Sequence, residues 1–228
     1  MGFLDMVFPK FCIGCGFLGV YACMDCEKKL LPGTKDTCLY CKKGSLYGLT
    51  HPACKKRTRA DGAMYIFRYH SVLKSLIKEI KYGLATEVWS EFSIAIKPQW
   101  MYKLLFFKHS QVAWHIQPIP LHIKKERARG FNPAYIIARF FQQFLGYPMT
   151  HALGRIKETD PQAQKKDTGE RYQNIRHAFA VLNRKEVKGK NIILVDDVLT
   201  SGATTMEGAK VLKNAGADRV YILTLAKG

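Results

Sequence analysis

The stretch Ile192-Ile-Leu-Val-Asp-Asp-Val-Leu-Thr-Ser-Gly-Ala-Thr-Thr205 constrains this chain more than any other. The continuous apolar run Asn191–Val195 fits a strand buried on both faces, the habit of a parallel sheet. Two adjacent carboxylates, Asp196 and Asp197, are expected at the strand's C-terminal end. A turn of small residues, Thr200–Thr204, then opens a helix. Backbone N–H groups of such a turn and of the helix N-terminus converge on one spot, which suits a phosphate. The candidate phosphate contacts are Thr200, Ser201, Gly202, Ala203 and Thr204. Gly202 admits close backbone approach, and the hydroxyls add donors. The carboxylates suit ribose hydroxyls and a magnesium ion.

The surrounding pattern fits an α/β fold. Ala63–Tyr69 is aromatic and β-like, and Val72, Leu73, Leu76, Ile77 and Ile80 recur at helical spacing. Glu87–Leu105 predicts a further helix broken at Pro98. Val112–Ile119 reads as a strand, Asn132–Phe144 and Thr204–Asn214 as helices, and Val220–Leu225 as another buried strand. Alternation of this kind indicates a mainly parallel sheet flanked by helices. Residues 62–105 are expected to form a hood or flank over that sheet. The polar stretch Gly154–Arg176 is expected to be a long mobile loop.

All seven cysteines lie between Cys12 and Cys54. That shift divides the chain into residues 1–60, a small zinc-binding module, and residues 61–228, the α/β domain. The first part has too little apolar material to fold without a staple. Its spacing is Cys12-x2-Cys15-x7-Cys23-x2-Cys26, then Cys38-x2-Cys41-x9-His51-x2-Cys54. Each C-x2-C turn presents two thiolates to a tetrahedral ion, so two structural zinc sites are expected, Cys₄ and Cys₃His. Sequential pairing suits the short x7 link; a cross-brace of first with third and second with fourth pairs stays open.

The formal net charge is +18. Seven zinc-bound thiolates and two Zn²⁺ would lower it only to about +15. Such a surface attracts nucleic acid and phosphorylated metabolites. Lys124, Lys125, Arg127 and Arg129 form the densest basic cluster of the α/β part and are candidates for phosphate or DNA contact. Tyr40, Tyr47 and Trp114 are candidates for base stacking, with core packing the alternative for Trp114. No apolar run approaches the roughly 20 residues of a membrane span. Met1–Phe11 is apolar but carries Asp5 and no basic lead, so no signal peptide is read and a cytoplasmic location is expected.

Four apolar residues, two acids, two spacers and Thr-Ser-Gly-Ala-Thr resemble the signature of type I phosphoribosyltransferases that binds phosphoribosyl pyrophosphate (PRPP). Pro118-Ile-Pro-Leu121, Arg127 and Arg129-Gly-Phe-Asn132 resemble the ComF family of competence-associated proteins. Arg155, Thr159, Gln162, Arg171 and Asn174, ahead of Phe179, match that family's polar-loop pattern. The resemblance runs from Cys12 to the C-terminus. It implies a type I phosphoribosyltransferase-like domain behind a zinc-ribbon-like module, with PRPP and Mg²⁺ as ligands. It also implies a role with incoming single-stranded DNA, alongside DNA-uptake proteins. Thr159, Gln162 and Arg171 would belong to a flexible loop; a closing polar loop excludes water from such chemistry, and Lys165, Lys166 and Arg171 could supply charge to the leaving group. Two functions follow: a phosphoribosyltransferase releasing pyrophosphate, or a non-catalytic nucleotide sensor and DNA-binding adaptor on the same fold.

Overall fold

The computed structural model describes residues 9–82, 85–159 and 168–228. Its centre is a four-stranded sheet of β1 (Gly62–Arg68), β2 (Trp114–Pro118), β5 (Asn191–Leu199) and β6 (Arg219–Lys227). The spatial order is β1-β6-β5-β2, and every pairing is parallel. A two-stranded antiparallel ribbon, β3 (Leu153–Arg155) with β4 (Phe179–Val181), stands apart from it. The parallel sheet expected from the apolar runs is therefore present.

Strand β5 separates two apolar cores. Ile193 and Val195 face one, with Leu73, Leu76 and Ile77 of α2 (Ser71–Tyr82) and Ile137 and Phe141 of α6 (Pro133–Leu145). Ile192 and Leu194 face the other, with Ala209 and Leu212 of α8 (Ala203–Asn214). All four β5 residues are fully buried. The period-2 alternation of a strand sends neighbours to opposite faces, so a strand covered on both must be apolar throughout.

The expected hood divides in two. Its first residues, Gly62–Arg68, are β1, an edge strand of the sheet itself. Only α2 and α3 (Ala85–Ala95), with the short turns of 98–108 after them, form the flank. The apolar run of β1, buried at six of seven positions, demands a place in the sheet rather than on top of it.

The cysteine-rich segment guards the outer edge of β1. Pro32 bridges Phe67 and Leu49 bridges Gly62, both antiparallel. Gly33 donates its N–H to Ile66 O at 2.7 Å, and Arg68 donates to Leu31 O at 2.8 Å. A buried ion pair, Lys103 Nζ to Asp36 Oδ1 at 2.7 Å, ties the segment to the flank. An edge strand left open invites pairing with other chains; here the N-terminal module closes it. That module also supplies Leu30 to one core and Leu39 to the other.

The polar stretch 154–176 is ordered at both ends. Gly154 and Arg155 lie in β3, and Thr168–Ile175 form helix α7, which packs on α8. Ile175 is buried, and it anchors the helix where polarity alone suggested a loop. Among the described residues no helix is long and apolar enough to cross a membrane.

Candidate functional site

The β5–α8 junction carries the two acids and the small-residue turn. Strand β5 does not stop at Val195, as the apolar run suggested; its ladder with β6 continues through Asp196↔Thr224 and Val198↔Ala226 to Leu199↔Lys227. The acids therefore sit inside the paired strand, on opposite faces, rather than side by side at its end. Asp196 borders a small hollow with Val198 and Thr200–Thr205. Asp197 turns to the other side.

Gly202 initiates α8 with φ +81°, a left-handed conformation that suits glycine. A Cβ there would meet the Met206 methyl at 2.8 Å and Leu39 and Leu199 at 3.4 and 3.5 Å. The glycine is thus required by backbone conformation and by packing behind the turn, not by room on the hollow's side. Ser201 Oγ accepts from Ala203 N–H at 3.4 Å. Thr205 is buried and its hydroxyl donates to Gly202 O, so it braces the turn from within. Thr200 is exposed and Thr204 half-buried at the hollow. The first-turn N–H groups of α8 have no carbonyl within the helix to bind, and those beyond Ala203 remain available to an anion.

Both oxygens of Asp197 are engaged. Oδ1 accepts Val198 N–H at 2.6 Å, and Oδ2 pairs with Lys81 Nζ at 2.5 Å. Lys81 lies in the last turn of α2, far from the motif in sequence, and nothing in the motif's spacing announces it. Burial opposes its charge, but Asp197 more than compensates and holds the ammonium's pKa above its ordinary value. Asp196 is the more open acid. Its Oδ1 accepts Asp197 N–H at 2.9 Å, and its second oxygen has no protein partner among the described residues. Burial and the Asp197 charge push the Asp196 pKa up to about 7, against the pull of that N–H, Lys81 and Arg155. One carboxylate oxygen facing the hollow fits a cation or a hydroxyl donor, which is the test a magnesium-assisted sugar-phosphate site must pass.

Arg155 approaches Asp196 from the β3 ribbon. Its guanidinium lies over Phe179 and donates to the Thr159 hydroxyl, while its buried Nε has no partner. Thr159, expected in a flexible loop, is instead buried, and its carbonyl accepts from the Lys125 ammonium. Arg171 sits half-buried on helix α7 rather than in a loop. From the same helix Tyr172 donates to Ser201 O at 3.3 Å, placing α7 beside the phosphate turn. Gln162, Lys165 and Lys166 lie outside the described residues.

The basic cluster occupies α5 (Ile123–Arg129), just beyond the end of β2. Lys124 pairs with Glu158 at 3.0 Å, and Arg127 is exposed. Each of the three candidate stacking aromatics already has a partner for its ring. Trp114 is buried against Phe107 and Tyr221. Tyr47 stacks on Phe106, and Tyr40 is covered by the Arg59 guanidinium while its hydroxyl accepts Ala60 N–H.

The thiols gather in two groups. Sγ atoms of Cys12, Cys15, Cys23 and Cys26 all lie within 4.8 Å of one another, which is the sequential pairing and not the cross-brace. Cys38, Cys41 and His51 form the second mutual set. Cys54 adjoins Cys41 and Cys38 without joining that set. His51 Nδ1 is 3.2 Å from Cys41 Sγ, and Nε2 is 3.0 Å from Gly44 O, the arrangement that fixes a metal-ligating imidazole. Burial disfavours the Cys12 and Cys38 thiolates, yet backbone N–H groups outweigh it and bring both thiols down to about 6. Two such clusters could hold zinc, which would tie these short turns together. The second presses on the small-residue turn: Leu39, inside its C-x2-C, is buried behind Gly202, and Tyr40 packs against the same core.

Comparison with known proteins agrees with this layout. The model of the phosphoribosyl transferase domain matches residues 127–228. Competence protein F of Haemophilus influenzae is 25% identical over 217 residues, covering 90% of each chain. Competence protein ComFC of Bacillus subtilis is 28% identical over 216 residues, 90% of this chain and 83% of that one. The DNA utilization protein YhgH of Salmonella typhimurium is 25% identical over 163 residues, covering 70% of this chain and 69% of its own. With a parallel sheet that matches the phosphoribosyl transferase domain, paired cysteine clusters ahead of it and relatives that span both, this chain is similar over nine tenths of its length to the ComF-like proteins of type I phosphoribosyltransferase fold.

Proposed function

We propose that this chain binds PRPP with Mg²⁺ at Asp196–Thr205 and serves, in the cytoplasm, in the uptake and handling of single-stranded DNA. The observation that carries the reading is the junction itself: an acid with a free oxygen beside a helix N-terminus opened by a left-handed glycine. The 5′-phosphate would rest on N–H groups of Thr200–Thr204, with Thr200 and Thr204 adding hydroxyls. Asp196 and Asp197 would accept the ribose hydroxyls and favour positive charge developing at C1. Bound Mg²⁺ would neutralise charge on the pyrophosphate. In a transfer, the C1–oxygen bond breaks with its electron pair leaving on pyrophosphate, and an acceptor lone pair closes on C1. The DNA role rests on relatives named for competence and DNA utilization and on the net charge of +18.

One observation favours a non-catalytic sensor instead. Both oxygens of Asp197 are already committed, to Val198 N–H and to Lys81, so that acid is not a ready base for an acceptor.

Calorimetric titration with PRPP and Mg²⁺ tests the site, and pyrophosphate release against a panel of acceptors separates transferase from sensor. Replacing Asp196 and Asp197 together by Asn should abolish binding while the chain stays folded. Equal affinity in wild type and variant, or no binding by a folded, zinc-loaded wild type, would overturn the reading.

A further inference from the structure

Lys81 is placed unlike the other cations around this site. It comes from the flank helix α2, on the face of the sheet away from α8, and meets Asp197 Oδ2 at 2.5 Å. Side-chain exposures of 28% for Lys81 and 12% for Asp197 put the pair between surface and core. A lysine ordered in that way gives up rotamer freedom, which an exposed pair seldom recovers. Two consecutive acids, meanwhile, repel each other and an anionic ligand unless a cation stands by. An ammonium has three N–H donors, and Asp197 takes only one of them.

We propose that Lys81 is a positioning residue of the phosphoribosyl site. With Val198 N–H on one oxygen and Lys81 on the other, the Asp197 carboxylate is locked in place before ligand arrives. The same charge offsets the repulsion between the acid pair and an anionic sugar phosphate. Helix α2 thereby becomes part of the site, although no residue of the motif points to it. This rests on reading the turn as a PRPP site.

Two probes separate the parts, both titrated calorimetrically in Mg²⁺. Inorganic phosphate reads the Thr200–Thr204 turn alone, and PRPP reads the turn plus the acids. Lys81→Gln should weaken PRPP about tenfold or more, the scale of one charge-assisted hydrogen bond, while phosphate changes about twofold at most. Lys81→Arg should recover most of the loss, because charge and reach are kept. Lys81→Gln combined with Asp197→Asn should lose no more than the larger single loss, since both act through one carboxylate. Thermal melts identify folded variants, and the Arg variant keeps the comparison decisive if Gln at 81 does not fold. Unchanged PRPP affinity in Lys81→Gln, equal loss of both probes, or additive losses would each overturn the proposal. A wild type that binds neither probe would sink the PRPP reading itself, and this inference with it.

Discussion

Asp196 owes its behaviour to three neighbours rather than to its own chemistry: burial and Asp197 hold a proton on it, while Lys81 and Arg155 pull the other way. The balance lands at about 7, against 3.8 for an ordinary aspartate. A carboxyl raised on folding binds its proton more tightly in the native state. It therefore contributes stability below the unfolded value, near pH 4, and that contribution is lost as pH rises to about 7. Asp196→Asn, which cannot ionise, should melt higher than wild type at pH 8 and lose that advantage toward pH 4, as read by calorimetric melts across the range. Ligand affinity should move oppositely, rising through pH 7 as the acid ionises to accept hydroxyls. A wild-type melting profile parallel to that of Asp196→Asn would show that the carboxyl titrates normally. The acids and the turn were legible in sequence because they are contiguous. Lys81 was not, since an unremarkable helical lysine becomes a site residue only through tertiary placement.

Helices and strands were legible where periodicity was strong, as in α2, α6 and the core of β5. Their limits were less so. The apolar run ends at Val195, but hydrogen bonding to β6 carries β5 on through both acids. Polarity hid α7, in which Ile175 is the one buried residue among the described side chains. The C-x2-C turns were legible as candidate metal ligands, but not their placement against the site. With Leu39 packed behind Gly202, the second cysteine cluster is a buttress of the Thr200–Thr204 turn. The purified protein should carry about two zinc ions per chain, and His51→Ala about one, by elemental analysis. Losing the second ion should also loosen the turn, so PRPP affinity should fall in His51→Ala although the substitution lies outside the hollow. Two ions retained, or a lost ion with full affinity, would sever that connection.

The whole molecule is a polycation whose charge is unevenly spent. Lys103 is buried on Asp36 and Lys81 is committed to Asp197, whereas α5 presents Lys124 and Arg127 outward. If single-stranded DNA follows α5, replacing Lys124, Lys125, Arg127 and Arg129 by Ala should flatten the dependence of affinity on salt by roughly three to four contacts. Fluorescence anisotropy with an oligonucleotide between low and moderate salt reads this directly. An unchanged slope would move the contact to the cysteine-rich module. The sheet order has a consequence of its own for how the chain is made. Strand β6 follows every other strand of its sheet in the chain, yet it lies between β1 and β5. A ribosome therefore releases β1 with its outer edge already covered by Pro32 and Leu49 and its inner edge bare, long before the partner exists. Until that middle strand emerges, the nascent protein is two half-sheets with an apolar gap, and the interval before closure is when chaperones have most to hold.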